Sequence, residues 1–154
     1  MTPFRSFMAL ALTEAEAAGA RGEVPVGAVL VDANGKVLAQ DGNRTREFHD
    51  PTAHAEMLVI RTAWRLLESQ RLPGAQLYVT LEPCAMCASA IAAARISRLY
   101  FGAEDPKSGG ILHGARVFTH AQTHHAPEVF DGIAAKEATD LLRQFFASRR
   151  VSGS

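Results

Sequence analysis

A chain of 154 residues, 47% hydrophobic and 21% charged, has the composition of a globular protein and not of a disordered one, with enough length to bury a core of its own. Sixteen basic and sixteen acidic side chains cancel. That balance excludes the overall positive field of a non-specific nucleic-acid or membrane binder, while leaving room for a local basic groove.

The opening "MTPFRSFMALALTEAEAAGARGE" is a poor signal peptide, because Glu14 and Glu16 interrupt its apolar stretch. Phe4, Phe7, Met8, Ala11, Ala15 and Ala18 recur at helical spacing and predict an amphipathic first helix. No apolar run is long enough to cross a bilayer. With no leader and two cysteines, the expected location is cytoplasmic, where a structural disulfide is not expected. Two short apolar runs, Val24 to Val31 and Val37 to Ala39, flank Asn34-Gly35 and predict a β-hairpin.

A polar loop, "DGNRTREFHDPTA", leads to the helix "HAEMLVIRTAWRLLESQ". Thr52 is the expected cap, and Ala55, Leu58, Val59, Thr62 and Leu66 are the expected apolar side. "RLPGAQ" breaks that helix, and "LYVTL" reads as a buried strand. The segment "EPCAMCASAIAAARI" makes a turn and a helix, and "SRLYFGA" is a further strand. Strand and helix alternate, which argues for a layered α/β fold with a partly parallel sheet. Residues 104–125 are loop-rich, Glu128 to Gly132 is a short edge strand, and "AAKEATDLLRQFFASRR" is a closing helix with Ala138, Leu141, Leu142, Phe145 and Phe146 on one side. With no repeat or linker, residues 1–154 are expected to form a single domain.

Cys84 and Cys87 form a C-x-x-C at the start of a helix, where free N–H groups favour thiolates. Taken alone, the pair is compatible with a redox couple, two small buried residues, or half of a metal site. His54 and Glu56, in "HAE", begin the preceding helix. Two parallel strands each followed by a helix would bring the two helix starts to one edge of the sheet, where open α/β sheets place ligands. His54, Cys84 and Cys87 then make a three-ligand zinc site with a water in the fourth position, and Glu56 reaches that water rather than the metal. His49, His113, His120, His124 and His125 are assigned to loops or packing.

"HAE…PCAMC" resembles the H-x-E…P-C-x-x-C signature of the zinc-dependent cytidine and purine-base deaminases. From Glu23 to Arg150 the chain is more closely similar to the bacterial tRNA-specific adenosine deaminases, through "EVPVGAVLV", "GNRTR", "DPTAHAE", "LYVTLEPCAMCA", "ARISRLYFGA", "DPKSGG" and "LLRQFFASRR". Thr45 stands where that family often has a proline, and "GGILHGARVF" departs from some members. The resemblance implies a three-layer α/β/α fold around a mixed five-stranded sheet, a homodimer, and one Zn2+ per subunit. It also implies hydrolytic conversion of adenosine to inosine at the wobble position of an arginine tRNA, so that the partner is a tRNA anticodon stem-loop and not a membrane. Carried over, His54, Cys84 and Cys87 are the zinc ligands and Glu56 the proton shuttle. Asn43 hydrogen-bonds the target base, Asp105 and Lys107 lie beside the flipped nucleotide, and Phe145, Phe146, Arg149 and Arg150 support the flanking bases and phosphates.

Arg44, Arg46, Lys107, Arg149 and Arg150 are the candidates for a basic face, against a solvated surface as the plainer reading. Two rivals remain. A small-molecule guanine or cytosine deaminase would use the same zinc chemistry, since metal ligands do not encode the base. A non-catalytic zinc- or RNA-binding module would have no use for Glu56.

Overall fold

The structure, a computed structural model, describes residues 3–151, with side chains from 7 to 149. The side chains of Phe4 and Arg150 lie outside the described residues. The elements are α1 (Pro3–Ala20), β1 (Gly27–Val31), β2 (Val37–Gly42), α2 (Ala55–Leu67), β3 (Gln76–Leu81), α3 (Ala85–Ala93), β4 (Arg98–Ala103), a 3₁₀ turn (Val117–Thr119), β5 (Glu128–Phe130) and α4 (Ala135–Val151).

The strands form one five-stranded mixed sheet in the order β2-β1-β3-β4-β5. β1 is antiparallel to both β2 and β3, while β3, β4 and β5 are parallel. Side chains alternate across the sheet as strand geometry requires. Ala28, Leu30, Leu77, Val79, Leu99 and Phe101 face Val59, Ile60, Ala88 and Ile91 of α2 and α3. Val29, Val31, Tyr78 and Tyr100 face Met8 and Ala11 of α1, and α4 lies beside α1 against β4. These are the three α/β/α layers expected from the sequence.

Small residues let α1 lie close on the sheet. Ala11, Ala15 and Ala18 are fully buried, and a Cβ on Gly27 would collide with the backbone of Ala11 and Ala15. Farther along this face, the in-register Tyr78, Tyr100 and Phe130 stack across three parallel strands, with ring centroids 4.5 and 4.9 Å apart.

The hairpin forms where Asn34-Gly35 predicts it. The Asp32 carboxylate accepts the amides of Asn34 and Lys36, and Gly35 takes a positive φ of 83°. The helix starts meet at one sheet edge as expected, because β2 and β3 run the same way; β1 lies between them, antiparallel to both.

Two expectations are corrected. Thr52 does not cap α2; its backbone N–H and hydroxyl both donate to the Asp50 carboxylate. The N-cap is His54, in extended conformation at φ −73° and ψ 152°, and the first helical amide, Ala55 N–H, donates to Asn43 Oδ1 at 2.8 Å. The apolar face of α2 is also rotated from the expected stripe. Ala55, Glu56, Val59, Ile60 and Ala63 are buried, whereas Thr62 and Leu66 are exposed.

Candidate metal centre

His54 and Cys84 are the N-cap residues of α2 and α3. An N-cap residue is extended and stands at the mouth of the helix, so its side chain projects beside the free amides of the first turn. Two helices starting at one sheet edge therefore aim both side chains at the same point. Cys87, one turn into α3 and fully buried, supplies the third donor.

His54 Nδ1 lies 3.6 Å from Cys84 Sγ and 3.4 Å from Cys87 Sγ, and the three donor atoms all fall within 4.8 Å of one another. Zinc bonds of about 2.3 Å to sulfur and about 2.0–2.1 Å to nitrogen, at tetrahedral angles, put those atoms roughly 3.5 Å apart. The trio fits zinc in donor type and in spacing. Hydrogen bonds from Cys87 and His54 hold Cys84 down at about 4, against burial. The same bond and burial push Cys87 far above the ordinary thiol range. The hydrogen bond to Cys84 raises His54, with burial opposing.

Glu56 is not in the trio but beside it. It is only 4% exposed, and its charge acts on the neighbouring Cys87 thiol. Burial raises its pKa above the ordinary carboxylate range, against the pull of a backbone hydrogen bond and of His54. A buried carboxyl held ready to gain or give up a proton next to a metal site is suited to general acid–base work.

The other predicted residues fall into two groups. Asn43 joins the metal centre from the side. Its Oδ1 is spent on the α2 amide, which leaves its side-chain NH2 as the donor available to a ligand. Asp105, Lys107, Phe146 and Arg149 line a separate cleft of about 730 Å³ together with Val24 and Leu142. Phe146 is exposed, at 45%. Phe145 instead packs edge-on against Phe146, with its ring centroid 5.4 Å away. Arg149 lies over the Phe145 ring at 4.3 Å and donates to the Gly22 carbonyl at 2.6 Å, which ties α4 to the turn after α1.

The expected basic face is largely engaged within the protein. Arg44 pairs with Asp41 and Glu47, and Arg46 donates to Gly22 O. Lys107 is exposed. The remaining histidines sit in loops; His113 bonds Glu82, and His125 bonds the Ile96 carbonyl.

Two residues escaped the sequence reading. Glu23 and Glu82 are each 2% exposed. The Glu23 carboxylate accepts from Thr45 Oγ1 and from the amides of Arg46 and Glu47, which fixes the loop after Asn43. Glu82, two residues before Cys84, gathers the loop of Asp105 and Lys107. The only signal for them was position: Glu82 directly follows β3 and stands two residues before Cys84, and Glu23 lies between α1 and β1.

Comparison with known proteins agrees with this geometry. A family model described as the cytidine and deoxycytidylate deaminase zinc-binding region matches residues 1–103, the span that holds the whole trio and Glu56. The tRNA-specific adenosine deaminase of Agrobacterium fabrum is 59% identical over 145 residues, covering 94% of this chain and 95% of that protein. A solved structure from work on A-to-I editing by tRNA:A34 deaminases at the wobble position of transfer RNA superposes with a TM-score of 0.87 at 58% identity, over 89% of this chain and 99% of that one. A guanine deaminase from Nitrosomonas europaea shares the fold, with a TM-score of 0.80 over 93% of this chain and 84% of that one, at 22% identity. The family model matches more than half of the chain and the A. fabrum relative covers nearly all of it: this chain belongs to the cytidine and deoxycytidylate deaminase zinc-binding family.

Proposed function

We propose that the chain is a tRNA-specific adenosine deaminase that converts the wobble adenosine of an arginine tRNA to inosine. The observation that carries the chemistry is Glu56, a buried carboxyl of raised pKa two residues from His54 and outside the ligand trio. The near end-to-end similarity to the A. fabrum enzyme supports the substrate.

In this reading His54, Cys84 and Cys87 hold one zinc ion per subunit, which when bound supplies an activated water at neutral pH. Glu56 takes up a proton at its carboxyl oxygen and passes it to a ring nitrogen of the adenine, making C6 electrophilic. The oxygen of the water that gave up that proton bonds to C6, and Glu56 carries the water's second proton to the amino group, so that the C6–N bond breaks, ammonia leaves and inosine remains. Asn43 orients the base through its side-chain amide. Asp105, Lys107, Phe145, Phe146, Arg149 and Arg150 support the neighbouring nucleotides, with Phe145 and Arg149 acting partly by holding Phe146 in place.

The apolar wall from Val24, Leu142 and Phe146, with Lys107 and Arg149 at the same cleft, supports an RNA ligand over a free base. Stacking of an unstacked nucleotide on an aromatic ring contributes about 1–3 kcal/mol per base. The chain works as one domain, as a homodimer and in the cytoplasm; exposed Leu66 and Leu67, at the end of α2, offer apolar surface for a second copy to cover. Among the described residues no helix is long and apolar enough to cross a membrane.

The test is an anticodon stem-loop with adenosine at the wobble position. Inosine at that position and stoichiometric ammonia are expected. A stem-loop recovered unchanged from zinc-loaded protein would refute the reading.

A further inference from the structure

Glu82 carries a carboxylate with no exposed side-chain surface at all. Burying an ionised group costs several kcal/mol unless it is fully hydrogen-bonded. Here both oxygens are. Oε1 accepts from Asp105 N–H at 3.1 Å and lies 2.8 Å from His113 Nδ1. Oε2 accepts from the amides of Ile111, Leu112 and His113 at 3.1, 2.9 and 3.2 Å. All of these donors belong to one segment, residues 105–113.

The same residue is rigidly placed at its other end. Its amide donates to the Ala103 carbonyl at 2.8 Å, extending the β3–β4 pairing by one step, and the next residues are Pro83 and the metal ligand Cys84. The loop returns to that turn through Gly110 N–H, which donates to Pro83 O at 2.8 Å. The fit is close: a Cβ on Gly109 would collide with the Glu82 carboxylate. Within the loop, Asp105 accepts from Ser108 and Gly109, so the segment that lines the cleft beside Phe146 is ordered from Glu82 outward.

We infer that Glu82 is a positioning residue for substrate: its carboxylate fixes the wall formed by Asp105, Lys107 and Ser108 at a set place relative to the metal turn. It thereby governs affinity for the nucleotides beside the reacting base while touching neither metal nor base. This rests on the RNA substrate proposed above. A loop without such an anchor would have to be ordered anew at each binding event, and that cost appears in KM rather than in the chemical step.

Two variants test it. Glu82→Gln keeps the shape but turns an amide NH2 toward the donors. Gly109→Ala presses on the same joint from the loop side, and is the decisive variant if the first fails to fold. Expected in each are undiminished zinc content, faster hydrogen exchange at the amides of Ile111, Leu112 and His113, and a KM for the anticodon stem-loop raised by about tenfold with kcat nearly unchanged. An unchanged KM despite faster exchange would overturn the inference, as would a fall in kcat together with loss of zinc, which would place the effect on the metal turn. If the unaltered protein does not deaminate the stem-loop, the substrate reading fails instead. Exchange then decides the anchoring, and unchanged protection at residues 111–113 overturns it.

Discussion

Glu56 takes a position in α2 that a hydrophobic stripe would assign to the core. Its spacing from His54 marked it as the proton carrier. The buried face of α2 is rotated from the expected stripe to include it, and Thr62 and Leu66, expected inward, are exposed. The account predicts that Glu56→Ala keeps its zinc and loses deamination by about 10²–10⁴-fold or more, the range of general acid–base catalysis. Parallel zinc and rate measurements check this, and a wild-type rate would move the proton carrier elsewhere. For Cys87→Ala, elemental analysis should find much less zinc, because two donors hold the ion far less well than three; full metal content would remove Cys87 from the ligand set.

Elements were legible where a pattern is local. The Asn-Gly hairpin, the strands around "LYVTL" and "LYFGA" and the closing helix all occur where periodicity and turn chemistry put them. Contacts between distant residues were not. The cap of α2 comes from Asn43, twelve residues upstream, and local spacing favours Thr52 because nothing in it shows that Asp50 captures that hydroxyl. Glu23 was missed for a related reason, since a carboxylate is buried only when a loop folds back to supply donors. Burial opposes its charge, but the amides of Arg46 and Glu47 and the Thr45 hydroxyl hold its pKa below the ordinary range. A depressed carboxylate stabilises the fold above its unfolded pKa and loses that contribution as pH falls through the folded value. Glu23→Gln should therefore destabilise by about 1–3 kcal/mol at neutral pH. In denaturant unfolding of both proteins, the gap should begin to narrow below about pH 4.3. Truncation after Leu142 belongs to this scale as well. It removes Phe145, Phe146 and the Arg149–Gly22 bond, and should reduce stem-loop deamination more than zinc content, with a melting curve to separate lost contacts from lost fold.

For the molecule as a whole, the sheet order is the least local feature and the one that makes the site. β1 inserts between two strands of the same direction, so that the helices after β2 and β3 open side by side, and the trio is complete only in the folded chain. The same fold occurs in a guanine deaminase, so the fold by itself leaves the base open. The choice falls to parts outside the motif: the cleft of Asp105, Lys107, Phe146 and Arg149, and the loop that Glu82 anchors beside it. The most direct measurement is kcat/KM for an arginine-tRNA anticodon stem-loop, guanine and cytosine, determined side by side on zinc-loaded protein by ammonia release and inosine content. The account predicts inosine from the stem-loop and turnover of the two free bases lower by orders of magnitude. Turnover of guanine or cytosine equal to or above that of the stem-loop would contradict it.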